Sequence, residues 1–195
     1  MSRFIGFYDY TVILTYASLL SAVSGMYYAA QGDFFHAAFF LVFSGLCDAF
    51  DGTVARTKKN RTNDEKAFGI QLDSLCDAIS FGVAPAVFCF FVGMDGLAGR
   101  LILFFYCLCA VIRLAYFNVL ETQRQQTEEG ANKYYHGLPV TSISIILPIC
   151  CCLQYFLPQQ FFVAILHLIM LATAFLFILD FPVKKPDWKK RLSNV

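Results

Sequence analysis

Residues 47–56 read Cys47-Asp48-Ala49-Phe50-Asp51-Gly52-Thr53-Val54-Ala55-Arg56, and residues 68–77 read Phe68-Gly69-Ile70-Gln71-Leu72-Asp73-Ser74-Leu75-Cys76-Asp77. The first stretch closes one long apolar run and the second opens another, so four carboxylates lie inside segments that otherwise read as bilayer-crossing helices. A charge at the centre of a span costs about 2.5–3.5 kcal/mol on the insertion scale, and four unpaired acids on the order of 10 kcal/mol. Something must offset that. Asp48 and Asp51 are three residues apart and Asp73 and Asp77 four apart, so each pair shares one helix face. The depths match as well. Asp51 lies five residues in from Arg56 and Asp73 six in from Ala67, with Asp48 and Asp77 deeper on the same faces. Packed as an antiparallel pair, the two helices bring the four carboxylates together in one half of the bilayer.

The rest of the chain fits a membrane protein. Of 195 residues, 58% are hydrophobic and 15% charged, against about 45–50% and 25% in soluble domains. The surplus comes as runs of about 20 residues, the length that crosses a bilayer. Six helices are expected, at roughly 10–30, 33–56, 67–93, 97–120, 137–157 and 159–182, in a single domain spanning 1–195. Helices satisfy their own backbone in lipid, so the fold expected is all-α, an integral membrane bundle. Lys and Arg gather at Arg3, in the loop from Arg56 to Lys66, at Arg124 and Lys133, and in the tail from Lys184 to Arg191. With six spans, these places share one side, and the positive-inside rule makes it cytoplasmic. Both termini and the acidic cluster then face the cytoplasm, in the cell (cytoplasmic) membrane. Basic residues at membrane borders, without a basic domain, give no support to nucleic-acid binding. The eight cysteines include no CxxC pair and read as small packing residues. The first apolar run is too long for a cleavable signal peptide.

Clustered carboxylates are oxygen ligands for hard divalent cations, Mg²⁺ or Mn²⁺, and two such ions balance four acids. Gly52 follows Asp51 directly, and Gly69 sits one turn before Asp73 on the same face. Both leave room for a substrate or a neighbouring helix. Arg56, at the rim, suits a phosphate. The chemistry indicated is phosphoryl transfer, with metals on the phosphate oxygens and a carboxylate deprotonating an attacking hydroxyl. Two other readings of the same acids stand beside it: a cation-coupled transport pathway, and structural pairing with Arg56 and Arg113.

The pattern Asp48-x2-Asp51-Gly52-x2-Ala55-Arg56-x12-Gly69-x3-Asp73-x3-Asp77 resembles the signature of the CDP-alcohol phosphatidyltransferases. The resemblance implies that Asp48, Asp51, Asp73 and Asp77 hold two divalent cations, with Asp77 also the general base. It places Gly52, Ala55, Arg56 and Gly69 against the cytidine diphosphate of CDP-diacylglycerol, and it implies release of CMP and a homodimer. The interval from Arg56 to Gly69 is longer than the family's usual one, and Thr57–Lys66 reads as a polar loop. Lys66 stands where many members carry Ser or Thr, and can reach a donor phosphate.

Three further segments resemble the bacterial and archaeal phosphatidylserine synthase branch of that family: residues 68–86, Arg113-Leu114-Ala115-Tyr116-Phe117-Asn118, and Gly137-Leu138-Pro139. They imply L-serine as the acceptor, with phosphatidylserine formed among the membrane lipids. Arg113, inside the fourth span, and Asn118 are candidate substrate contacts. Tyr116 and Ser18 depart from that branch's usual residues, which keeps glycerol 3-phosphate, inositol and inositol phosphate as alternative acceptors.

Overall fold

A computed structural model describes residues 5–55, 57, 58, 60–127 and 134–184, with the side chains of 124–127, 134–136 and 182–184 left aside. Arg56, Lys133 and the tail from Lys185 onward lie outside the described residues, so the readings made of them stay expectations.

Helix α1 spans Ile13–Ala30 after a 3₁₀ turn at Tyr10–Val12, and α2 spans Phe34–Ala55. The reversal between them turns on Gly32, at φ +78°, a conformation that suits a residue without Cβ. The hairpin is closed by small and hydroxylic residues, as helices in lipid require. The Ser18 and Ser44 hydroxyls meet at 2.8 Å, Ser21 Oγ donates to the Phe40 carbonyl at 2.7 Å, and a Cβ on Gly25 would lie 3.3 Å from the Ala37 carbonyl.

Helix α3, Asn63–Asp77, begins at a capping box. Thr62 Oγ1 accepts from the Glu65 amide at 3.2 Å, and Glu65 Oε2 accepts from the Thr62 amide at 2.8 Å. This start lies before the residue 67 expected from hydropathy, because the polar first turn carries a cap signal and no apolar one. A π-helical turn, Ala78–Val83, follows Asp77 and leads into α4, Ala84–Val92. The cause is readable in the chain. Pro85 has no N–H to give the Phe81 carbonyl in α-helical register, and the amide of Ala84 instead bonds Ile79 five residues back. Two side chains of α5, Leu97–Thr127, supply the turn from outside: Tyr106 OH donates to the Phe81 carbonyl at 2.6 Å, and Cys107 Sγ lies 3.4 Å from that of Gly82.

Helix α6 is Ile143–Cys151, flanked by 3₁₀ turns, and α7 is Gln159–Ile178. Phe105 and Tyr106 of α5 meet Phe175 and Phe177 of α7 at ring separations of 5.2 and 5.5 Å. The one sheet among the described residues is a short antiparallel pair, β1 (Tyr134–His136) with β2 (Pro182–Lys184), so the bundle is all-helical apart from this ribbon. Buried residues such as Phe81, Tyr106, Ile143, Leu166 and Met170 form one core, and Leu20, Phe35, Phe104 and Leu168 are exposed on the outer faces. Large apolar side chains thus cover the outer faces as well as fill the core, the arrangement of a protein solvated by lipid.

Among the described residues, five helical stretches are long and apolar enough to cross a membrane: Tyr10–Ala30, Phe34–Ala55, Asn63–Val92, Leu97–Gln123 and Gln159–Ile178. The expected span at 137–157 is instead a shorter apolar helix, Val140–Tyr155. Pro139 precedes its first turn and Pro148 interrupts it, and at 1.5 Å per residue it reaches about 24 Å.

Candidate metal and phosphate site

The C-terminal half of α2 and the C-terminal half of α3 supply the acids. One carboxylate oxygen each from Asp48, Asp73 and Asp77 lies within 4.8 Å of the others. Asp51 joins from the side. It adjoins Asp73, and its Oδ2 accepts from Thr15 Oγ1 of α1 at 3.3 Å. Asp77 is the deepest, 9% exposed, and adjoins Asp48. The fold thus brings three of the four acids into one tight group, with the fourth beside it.

Whether this group suits a cation can be judged from its unmet valences. Oδ1 of Asp73 is shut off from solvent and has no hydrogen-bond partner. A buried polar atom without a partner is expensive, and a hard cation is the partner an all-oxygen set accepts best. The residues fit a divalent metal.

Two of the acids, Asp51 and Asp73, give onto a cavity of about 520 Å³, while Asp48 and Asp77 do not line it. Asp51, Gly52, Ala55, Lys66, Gly69 and Asp73 line it, six of the residues expected at the site. A Cβ on Gly52 would meet nothing within 4 Å, so that wall is open space. Gly69 is different: a Cβ there would lie 2.6 Å from Nη2 of Arg61, so what approaches this glycine is a side chain of the loop before α3.

Several residues of the wall escaped the sequence reading. Thr11, Thr15, Lys58, Arg61, Asn63 and Glu121 also line the cavity. Lys58 bridges two elements, with Nζ 2.8 Å from Asp9 and 3.0 Å from Glu65. The Lys58 ammonium, with Thr11, holds the Asp9 carboxyl down at about 2. Phe7 packs edge-on to Phe68 at 5.5 Å, and Tyr10 OH meets Thr57 Oγ1 at 3.2 Å. The segment before α1 is therefore strapped across the start of α3. The Thr62–Glu65 box and an acid just before an apolar run were the sequence signals for this corner.

Arg113 and Asn118 do not line this cavity. Arg113 lies against Gly137, where a Cβ would be 3.3 Å from Nη1, and the acid acting on it is Asp180, past the end of α7. Among the described residues it forms no ion pair with the aspartates, so the Arg113 half of the structural-pairing reading is not realised; the other half falls on Arg56, outside the described residues. Asn118 Oδ1 accepts from Ser74 Oγ at 2.6 Å, and its Nδ2 donates to Gln71 at 3.4 Å. Asn118 is thereby tied to the helix that carries Asp73 and Asp77.

The sequence profile described as CDP-alcohol phosphatidyltransferase matches residues 10–179. The chain belongs to that family. It is 35% identical over 160 residues to the CDP-diacylglycerol–serine O-phosphatidyltransferase of Saccharomyces cerevisiae, covering 79% of this chain and 56% of the relative. It is 31% identical over 145 residues to the enzyme of the same name from Helicobacter pylori, covering 73% and 57%. It is 35% identical over 138 residues to the archaetidylserine synthase of Methanothermobacter thermautotrophicus, covering 67% and 53%. The chain thus spans a little over half the length of these curated relatives. No solved structure matches it significantly.

Proposed function

We propose that this chain is a phosphatidylserine synthase, transferring the phosphatidyl group of CDP-diacylglycerol to the hydroxyl of L-serine and releasing CMP. The observation that carries the reading is the grouping of the signature acids Asp48, Asp73 and Asp77, joined through Asp73, with Asp51, to a cavity lined by the signature residues Gly52, Ala55 and Gly69. The names of the relatives supply the acceptor.

In this mechanism Asp48, Asp51, Asp73 and Asp77 would hold two divalent cations, Mg²⁺ or Mn²⁺, which would supply charge neutralisation to the donor's phosphate oxygens. Gly52 and Ala55 leave space for the cytidine diphosphate, Lys66 lines the same cavity, and Arg56, outside the described residues, is assigned to the diphosphate by the signature alone. The serine hydroxyl oxygen attacks the phosphorus that bears diacylglycerol. Asp77 takes the hydroxyl proton, the bond from that phosphorus to the bridging oxygen breaks, and CMP leaves with the electron pair. Asp77 suits the role because it lies deepest, at the end of an α-helix that a π-turn then redirects. Arg113 and Asn118, which lie outside the cavity wall, are assigned the serine side of the reaction: Arg113 to the serine carboxylate or a donor phosphate, and Asn118, held by Ser74 and Gln71, to a substrate oxygen.

The same reading takes Val140–Tyr155 as a sixth, short span, accommodated by local thinning of the bilayer. Both termini and the cavity then face the cytoplasm, the chain resides in the cytoplasmic membrane, and it works as a homodimer. The decisive experiment is CMP release by the purified protein in detergent with CDP-diacylglycerol and Mg²⁺ or Mn²⁺. The acceptors to compare are serine, inositol, inositol phosphate and glycerol 3-phosphate. Release driven by serine alone, with a primary amine in the lipid product, is the expected result. Release driven by another alcohol refutes the acceptor and keeps the reaction class, and cation flux without CMP release favours a transporter.

A further inference from the structure

Among the described residues, three cations line the cavity: Lys58, Arg61 and Lys66. Lys58 is engaged by Asp9 and Glu65. Arg61 is placed differently. Its Nη2 donates to the Glu65 carbonyl at 3.2 Å and lies over Gly69, where a Cβ on residue 69 would sit 2.6 Å from it and oblige the guanidinium to move. Its Nε is shut off from solvent and has no hydrogen-bond partner. A guanidinium carries five donors in a rigid fork that matches two oxygens of a carboxylate or phosphate at once. Here part of that fork is anchored and another part is dry and unsatisfied, against a cavity wall.

The loop that delivers Arg61 is held in place. Arg61 immediately precedes the capping residue Thr62, and Glu65 fixes the corner in three ways. It closes the capping box, it pairs with Lys58, and its carbonyl receives Arg61. Ordering a long side chain over a glycine costs conformational entropy, and no acid pairs with Arg61 among the described residues. Asp51 and Asp73 line the same cavity, so an anion entering it needs a cation on the opposing charge balance.

We propose that Arg61 is a donor-binding residue: its guanidinium, laid across Gly69, hydrogen-bonds the phosphate oxygens of the nucleotide diphosphate. The inference rests on the cavity being the CDP-diacylglycerol site. It gives Gly69 a second duty, since the glycine makes room for the arginine that touches the donor.

The test is calorimetric titration of the full chain in detergent with Mg²⁺, using CDP and cytidine as probes, together with steady-state kinetics. Arg61→Ala should weaken CDP binding about tenfold or more, the loss of a charge-assisted bond. It should raise KM for CDP-diacylglycerol by a similar factor, and leave cytidine binding, KM for serine and the unfolding midpoint unchanged. Arg61→Lys, which keeps the charge and loses the fork, should fall between. Wild-type CDP affinity in Arg61→Ala overturns the contact and leaves the cavity assignment standing. Equal loss of CDP and cytidine with a lowered midpoint also overturns it, by showing that Arg61 only holds the loop. Failure of the wild-type chain to bind CDP overturns the cavity assignment and this inference with it.

Discussion

The hydroxyl of Tyr106 on α5 donates to the Phe81 carbonyl at 2.6 Å, inside the π-turn that begins one residue after Asp77. Pro85 denies that carbonyl its α-helical donor, and Tyr106 is fully buried. Tyr106→Phe should therefore leave a buried acceptor unpaired, at about 1–3 kcal/mol. A lower unfolding midpoint in detergent is expected, and an unchanged midpoint would show that the bond carries no weight.

Asp77→Asn keeps the shape of the side chain and removes its basicity. CMP release should fall by about 10²- to 10⁴-fold, the usual contribution of a general base, while the unfolding midpoint holds. Full turnover in this variant would remove Asp77 from the role of base.

The unpartnered Oδ1 of Asp73 leads to a metal prediction. A chelator should abolish CMP release, and added Mg²⁺ or Mn²⁺ should restore it. Asp73→Asn should need a higher cation concentration for half-maximal rate. A chelator-insensitive enzyme would rule out the metal site.

The ion pair between Asp9 and Lys58 has a pH signature. The Asp9 carboxyl titrates at about 2 in the folded chain, below its ordinary 3.8, because Lys58 and Thr11 favour the charged form. A depressed carboxylate stabilises the fold above its ordinary value and loses that contribution as pH falls through the folded one. Asp9→Asn should thus lower the unfolding midpoint at neutral pH, and the gap from wild type should shrink between pH 3.8 and about 2. High salt should narrow it too, since the pair is partly exposed. A gap that is constant with pH would show that the pair contributes nothing.

Gly45, one turn before Asp48 on α2, faces Ser144 of α6, and a Cβ there would overlap the serine hydroxyl and Cβ. Gly45→Ala should cost about 1–3 kcal/mol by overpacking, read as a lower midpoint. Ser144→Gly in the same chain should restore it.

The acids were legible because carboxylates inside apolar helices are costly enough to demand a reason, and their three- and four-residue spacings put Asp48, Asp73 and Asp77 on facing helices. Other features gave no periodic signal. Arg61 reaches Gly69 from a loop, and a side chain's course through a loop leaves no trace in hydropathy. The π-turn hides behind residues that fit an α-helix, and only Pro85 hints at it. The start of α3 at Asn63 was written in Thr62 and Glu65, a capping signal that the search for apolar runs passed over. The run at 137–157 yields a helix of only Val140–Tyr155, because hydropathy registers composition, and the 3₁₀ turns at the helix ends do not alter composition.

Lys58 joins residues far apart in the chain, since its bond to Asp9 crosses 49 positions. The segment before α1 is consequently a structural part of the cavity rim, and the two elements it ties should move together. For anyone preparing this protein, that makes the amino end a poor place for a purification tag or a reporter.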